Sequence, residues 1–342
     1  MKYVIRSEGI RKTYISKGKG LFRRERKEVE ALKGIGLAVN EGEIFGLLGP
    51  NGAGKTTFIK ILTTLLLPTA GKAWVNGYDV EKEDRKVRAS IGCMLMGERG
   101  LYWKLTGREN LEYFGALYYV PKKVRRERIE YLIELLSLGD FIDRTVETYS
   151  SGQKMIVSFA KALINDAPTL FLDEPTIAMD VHAARKLREV VRDLNRQGKT
   201  IIYTTHLMHE ADELCDRIAI IDKGKIMAIG TPAELKASIK QEGIIKIEGV
   251  IPQNAVDALR GIPTVEKVAL EEKGGREHLR VITGNSRRAL PEIIKVLTEN
   301  GSTLEYISPE EPTLEDVFVK LTGRTLSQDT REANEPKSAK SD

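Results

Sequence analysis

Gly49-Pro50-Asn51-Gly52-Ala53-Gly54-Lys55-Thr56 places three glycines in eight residues and ends on a lysine and a hydroxyl. It follows Glu43-Ile44-Phe45-Gly46-Leu47-Leu48, which reads as a short buried strand. It opens onto a helical run from Lys55 to about Leu66, stopped by Pro68. A loop in that setting fits G-x-x-x-x-G-K-[ST], the pattern that cradles phosphates. The reason is electrostatic. Backbone N–H groups converging at a helix N-terminus bind a dense anion, and glycines let the chain wrap closely at positive φ. Lys55 brings a compact positive charge to the β- and γ-phosphates of a nucleoside triphosphate. The Thr56 hydroxyl is placed for Mg2+, and Thr57 is a candidate for a further phosphate contact. By average composition the fixed positions arise by chance in about one chain in a hundred of this length, and the strand–loop–helix setting makes chance a poorer account still.

A second element completes such a site. Thr169-Leu170-Phe171-Leu172 reads as a buried strand and runs into Asp173-Glu174. In nucleotide-binding sheets the ligand sits beyond the carboxyl ends of the strands. Asp173 is therefore placed to hold Mg2+, directly or through water. Alternation of side chains along the strand is expected to turn Glu174 elsewhere, toward the water that attacks the γ-phosphate. A strand ending in two acidic residues means little by itself; paired with the phosphate loop it reads as chemistry.

Around these motifs the chain alternates strand and helix. Thr200-Ile201-Ile202-Tyr203-Thr204 is another short strand, and a polar helix from about His182 to Arg196 precedes it, closed by Gly198. Short apolar strands joined through helices predict an α/β fold with a mainly parallel, covered sheet. From about Thr106 to Leu163 the rhythm changes. Val124, Ile129, Leu132, Ile133 and Leu136 recur at helical spacing, which predicts a helical insert. After Leu235 the segment from about 244 to 307 reads strand, helix, strand, strand, helix, strand, with Lys273-Gly274-Gly275 as a hairpin turn, and a short helix Leu314–Leu321 follows. That order predicts a small α+β, ferredoxin-like domain. The expected division is 1–238 for the nucleotide-binding domain with its helical subdomain at about 106–163, 239–323 for the C-terminal domain, and 324–342 for a polar tail without apolar periodicity, expected to be disordered.

Composition sets the outer limits. The 342 residues are 41% hydrophobic, enough for a sizeable core, and no stretch reaches the roughly 18 apolar residues of a membrane span. The N-terminus MKYVIRSEGIRKTY lacks the apolar block of a signal peptide, so a cytoplasmic protein is expected, peripheral on the inner face of the cell membrane if it acts there. The formal net charge of +5 is small for this length and does not indicate a nucleic-acid partner. Cys93 and Cys215 are far apart and read as reduced thiols rather than metal ligands. Ser16 to Glu28 carries Lys17, Lys19, Arg23, Arg24, Arg26 and Lys27 and reads either as a solvated hairpin loop or as a contact with anionic lipid.

Tyr149-Ser150-Ser151-Gly152-Gln153, upstream of Asp173, narrows the class. It resembles the L-S-G-G-Q signature of ATP-binding-cassette (ABC) ATPases and leads into a helix, Lys154–Leu163, as it does in that family. Asp173-Glu174-Pro175-Thr176, Met179-Asp180, His206 after Tyr203-Thr204-Thr205, and Asp222-Lys223-Gly224-Lys225-Ile226 followed by Gly230-Thr231-Pro232 also match the family pattern, over roughly residues 3 to 235. Met96-Gly97-Glu98-Arg99 before Leu105-Thr106, and Glu311-Pro312-Thr313-Leu314-Glu315-Asp316-Val317-Phe318, resemble the ATP-binding subunits of ABC-2-type exporters of the drug-resistance, daunorubicin-export-like group. The resemblance implies ATP and Mg2+ as ligands, an ATP-dependent homodimer or paired ATPase subunit, and an integral-membrane permease as partner. Tyr14 matches the aromatic that stacks on adenine. Ser150 and Gly152, with Ser151 and Gln153 beside them, match the signature that reaches the γ-phosphate held by the opposite subunit. His206 matches the switch histidine. His182, His209 and His278 match no family role.

Two competing readings stay open: a soluble ABC ATPase without a permease, and a nucleotide-binding regulator with weak ATPase. The departures from the pattern bear on the second. Tyr149 replaces a leucine, and Ser151 replaces a glycine, which would strain a backbone angle reserved for glycine. Glu98 stands where the family has a glutamine touching Mg2+ and the attacking water, and no glutamine lies between Tyr78 and Gly152. A carboxylate still ligands Mg2+ but adds negative charge near the γ-phosphate. Glu98→Gln is therefore expected to speed turnover or relax its Mg2+ dependence. ATPase assays across a Mg2+ series check this, and unchanged rate and dependence would refute it.

Overall fold

A computed structural model describes residues 3–17, 26–95, 100–177, 179–239, 243–273, 276–284, 286–310 and 312–324. Glu98 with Met96–Arg99, most of the basic segment 16–28, the turn glycines 274 and 275 and the tail beyond 324 lie outside the described residues. The chain forms two compact units. One comprises Met1–Leu48 with Gly52–Ile226, the other Met227–Asp342 with Gly49–Asn51.

The first unit holds two sheets. β1 (Tyr3–Lys17), β2 (Arg26–Asn40), β4 (Ala70–Val75) and β5 (Tyr78–Asp79) form an antiparallel sheet in the order β2-β1-β4-β5. β3 (Ile44–Leu48), β6 (Ile91–Met94), β7 (Thr169–Asp173), β8 (Thr200–Thr205) and β9 (Arg217–Asp222) form the other, in the order β9-β3-β8-β7-β6, and β10 (Lys225–Gly230) straddles the division between the units. The pairings from β9 through to β6 are all parallel. All residues of β3, β7 and β8 are buried, which explains their unbroken apolar runs: a parallel sheet is covered on both faces. α1 (Lys55–Leu62) buries Phe58, Ile59, Ile61 and Leu62 in a core shared with Phe45, Leu47, Phe171 and Ile202. α1 is shorter than its apolar run predicts. Thr64 turns left-handed at φ 64° and the N–H groups of Leu65 and Leu66 fold back onto the Lys60 carbonyl, ending the helix before Pro68.

After α2 (Asp84–Ala89) the insert is helical, as its spacing predicts: α3 (Gly107–Leu117), α4 (Lys122–Leu136) and α5 (Ser151–Leu163). In α4, Ile129, Leu132 and Leu136 face inward while Val124 is exposed. α6 (Val181–Arg196) and α7 (Met208–Leu214) flank β8 in the chain. Both cysteines are free, and burial pushes the Cys93 thiol up to about 12 and the Cys215 thiol higher, so neither is reactive at neutral pH.

The second unit begins its own fold after α8 (Pro232–Ala237). β11 (Gly243–Val250), α9 (Gln253–Arg260), β12 (Val265–Lys273), β13 (Arg276–Thr283), α10 (Ser286–Glu299) and β14 (Thr303–Glu310) follow the predicted βαββαβ order. The strands lie in the order β12-β13-β11-β14, all antiparallel. One face packs Ile245, Ile247, Leu279 and Val281 against α9 and α10. α11 (Leu314–Thr322) packs Val319 on Ala269 and Ile282 of the other face. The Pro312–Phe318 stretch has a structural role here. Thr313 caps α11 in a reciprocal box with Asp316, which is buried and paired with Arg280 at 3.0 Å.

α5 rests on β6 with no room to spare. A Cβ on Gly92 would stand 2.0 Å from the Ala162 carbonyl oxygen and 2.7 Å from Leu170 Cδ2. Gly92→Ala is expected to destabilise the protein by about 1–3 kcal/mol, as overpacking of a filled core does. The chemical-denaturation midpoint against wild type measures it.

Candidate functional site

Three turns at the carboxyl edge of the parallel sheet build the site. The first follows β3. Gly54 caps α1 at φ 112°, and a Cβ there would meet Leu32 Cδ2 at 2.8 Å and the Ala31 oxygen at 2.9 Å. Only glycine fits, so the first turn of α1 is set with its N–H groups opening from the loop and with Lys55, Thr56 and Thr57 in succession. Of the loop, Gly49, Pro50 and Ala53 are buried, Gly54 is half-buried, and Asn51 and Gly52 are exposed.

The second turn follows β7. The Thr56 hydroxyl donates to Asp173 Oδ2 at 2.8 Å and the Thr204 hydroxyl to Asp173 Oδ1 at 2.6 Å. β7 ends at Asp173. Glu174 takes φ 49°, so a left-handed turn sets its direction and strand alternation does not apply. This corrects the reason expected from sequence: both carboxylates are buried in one network. A glutamate at positive φ is strained and persists where surrounding bonds over-determine it. Here the Glu174 N–H bonds the Thr204 hydroxyl at 3.0 Å and the Thr204 carbonyl at 3.2 Å.

The third turn follows β8 and carries His206. Lys55 Nζ lies 3.0 Å from Glu174 Oε1, each side chain 4% exposed, and His206 Nδ1 lies 3.1 Å from Glu174 Oε2. Burial alone would raise the Glu174 pKa. The His206 hydrogen bond and the Lys55 charge outweigh it and hold the carboxyl below its ordinary value. Lys55, Thr56, Asp173, Glu174 and His206 thus come together. Thr204 joins them and was missed from sequence. Its signal was the pairing of Asp173 with Thr204 between adjacent strands, which only the register reveals.

The signature stands on another element. Ser150 caps α5: its hydroxyl accepts from the Gln153 N–H at 3.2 Å, and Gln153 Oε1 accepts from the Ser150 N–H at 3.0 Å. The motif is a capping box that opens a 13-residue helix, with Ser151 and Gly152 in its first turn. Ser151 is absent from the positive-φ residues, so the strain expected of it does not arise. Tyr149 is buried, stacks edge-on against Phe141 at 5.0 Å and donates its hydroxyl to the Phe141 carbonyl at 2.7 Å. It fills a packing position with a satisfied polar tip. Tyr14, on β1, is 42% exposed with Lys12 Nζ 5.6 Å from its ring centre.

A model of the ABC transporter family matches residues 32–177, and one described as the C-terminal domain of DrrA1-3-like ATP-binding proteins matches residues 230–322. The daunorubicin resistance ATP-binding protein DrrA2 of Streptomyces coeruleorubidus is 38% identical over 97% of this chain and 99% of its own. The chain belongs to the ABC transporter family of ATP-binding proteins. The linearmycin resistance ATP-binding protein LnrL of Bacillus subtilis (strain 168) is 33% identical over 94% of this chain and 99% of its own. Among solved structures, the dimeric post-hydrolysis state of the ATP-binding cassette MJ0796, bound to ADP and Pi, superposes with a TM-score of 0.60 at 27% identity, covering 66% of this chain and 98% of that one. The fold is thus the α/β, P-loop fold of ABC cassettes.

The lowered pKa of Glu174 has a thermodynamic counterpart. Its contribution to stability is full above the ordinary glutamate value of 4.5 and is lost as pH falls through the lower folded value. The stability difference between wild type and Glu174→Gln is therefore expected to change as pH drops below about 4.5 and to level off once both folded and unfolded carboxyls are protonated. Urea unfolding across an acid series measures it.

Proposed function

We propose that the chain is the ATP-hydrolysing motor subunit of an exporter, driving a separate integral-membrane permease from the cytoplasmic face. The observation that carries this reading is the buried cluster in which Glu174 is bonded to both Lys55 and His206 beside the Thr56–Asp173 pair. The relatives support the exporter part, being named for daunorubicin and linearmycin resistance and for Nod factor export. Among the described residues no helix is long and apolar enough to cross a membrane, in keeping with a permease on another chain.

In this reading residues 1–238 are the nucleotide-binding domain, with the insert at about 106–163, and 239–323 are an appended domain. Tyr14 stacks on adenine. Gly49 to Gly54 wrap the phosphates with backbone N–H groups, and Lys55, Thr56 and Thr57 hold the β- and γ-phosphates. Among the described residues no three His, Cys, Asp or Glu gather to hold a metal. The Thr56 hydroxyl beside the Asp173 carboxylate nevertheless suits Mg2+, which takes one or two protein oxygens and completes its shell with phosphate and water. Bound there, with Glu98 as a further candidate ligand, Mg2+ would neutralise charge on the transferring phosphoryl group.

Two copies pair head to tail; the MJ0796 cassette, to which the chain is similar, is likewise a dimer. The N-terminus of α5 in one copy brings Ser150, Ser151, Gly152 and Gln153 to the γ-phosphate held by the other. A capped helix start offers N–H donors and the positive end of the helix dipole to that anion. Glu174, kept ionised by Lys55 and His206, accepts the proton of the attacking water, and Lys55 steadies the developing charge. His206 contacts the γ-phosphate and links it to the second copy. Hydrolysis to ADP and phosphate removes that link, the pair opens, and the helical insert transmits the motion.

Glu174→Gln is expected to bind ATP, lose nearly all hydrolysis and accumulate as an ATP-bound dimer, seen by size-exclusion chromatography in ATP beside an Mg2+-dependent wild-type ATPase. A monomeric, fully active Glu174→Gln overturns the scheme.

A further inference from the structure

Behind the Lys55–Glu174 pair lies a second buried charge that takes no part in the chemistry above. Glu210, on α7, is 1% exposed. Its Oε1 accepts from Arg188 Nη1 of α6 at 3.0 Å. Its Oε2 accepts from the Tyr203 hydroxyl at 3.0 Å and from the Thr205 hydroxyl at 3.1 Å. Thr205 Oγ1 in turn accepts the Leu207 N–H at 2.9 Å. The residues before and after His206 are therefore tied to each other, and through one hydroxyl to one carboxylate.

The same carboxylate also holds Tyr203, two residues before Thr205 on β8, through its hydroxyl. Burial keeps this phenol protonated, so it donates to Glu210. Arg188 extends the network through Glu213, whose carboxylate lies 3.4 Å from Arg188 Nε and 2.8 Å from Arg192 Nη2. A buried ion pair is a poor source of net stability, because desolvation offsets the attraction. What a buried carboxylate with both oxygens hydrogen-bonded supplies is one fixed geometry. The geometry fixed here is that of the β8 end and the His206 that follows it.

We infer that Glu210 is a positioning residue for ATP hydrolysis, its carboxylate holding the turn that carries His206 against Glu174 through Thr205 and Tyr203. The inference rests on the proposed roles of Glu174 and His206. Glu210 does not touch the nucleotide in this scheme. It acts by keeping His206 Nδ1 within hydrogen-bonding reach of Glu174, and small displacements of a catalytic group carry large kinetic penalties.

The test uses the full chain as wild type, Glu174→Gln, Glu210→Gln and Thr205→Val. Steady-state kinetics separate kcat from KM for ATP, and NMR follows the histidine ring signals, of which the chain has only four. Both Glu210→Gln and Thr205→Val are expected to lower kcat by about ten- to a hundredfold while KM stays within about twofold of wild type. Both should shift the His206 ring signals and leave those of His182 and His278 in place. Thr205→Val keeps the Arg188–Glu210 pair and removes only the hydroxyl link, so it decides the matter alone if Glu210→Gln does not fold. Unchanged kcat in the variants, or a lower kcat with unmoved His206 signals, overturns the inference while a dead Glu174→Gln leaves the hydrolysis scheme standing. A wild type without ATPase activity overturns both.

Discussion

Asp173 is fully buried, and each of its oxygens is held by a hydroxyl from a different element, Thr56 on α1 and Thr204 on β8. A carboxylate taken out of water is tolerated only where such bonds replace its hydration. Meeting that condition constrains much of the first unit. The Asp173 and Thr204 backbones must be paired in register, so β7 and β8 must run parallel and adjacent. Thr56 must arrive on the first turn of a helix, so the loop before it must turn sharply at Gly54, where no side chain fits. Glu174 then follows in a left-handed turn, pinned by the same Thr204, and its own carboxylate falls between Lys55 and His206. The charges in this cluster each have a partner, which is why they can be buried together.

The helical insert meets a different requirement with simpler means. Its signature segment must present a helix start, and a helix start has N–H groups with no partner inside the helix. Ser150 and Gln153 satisfy two of them reciprocally, which fixes where α5 begins. The other end of the problem is where α5 lies. Gly92 lets it approach β6 to van der Waals contact, and Tyr149 anchors the entry to the helix through Phe141. The same device ends the C-terminal unit, where Thr313 and Asp316 cap α11 and Arg280 holds Asp316 on the sheet.

Much of this was legible in the chain. Short, non-alternating apolar runs marked β3, β7 and β8, strands of five or six residues, because strands covered on both faces need no alternation. The βαββαβ unit was legible for the converse reason: Ile245, Ile247, Leu279 and Val281 alternate with charged residues across strands that pack helices on that face. The antiparallel sheet around β1 and β2 was not foreseen. Its pairing joins segments with register shifts that blur the period of two, so no window of the sequence shows it.

The sequence by itself determined the phosphate loop, the two acidic residues, the signature and the order of elements, because each depends on residue types at fixed short spacings. Only the tertiary structure decided that Glu174 sits in a left-handed turn, that Thr204 serves both carboxylates, and that Glu210 stands behind His206. These relations join residues that are neighbours across strands and helices rather than along the chain. A one-residue change of register would dissolve them while leaving every local motif intact.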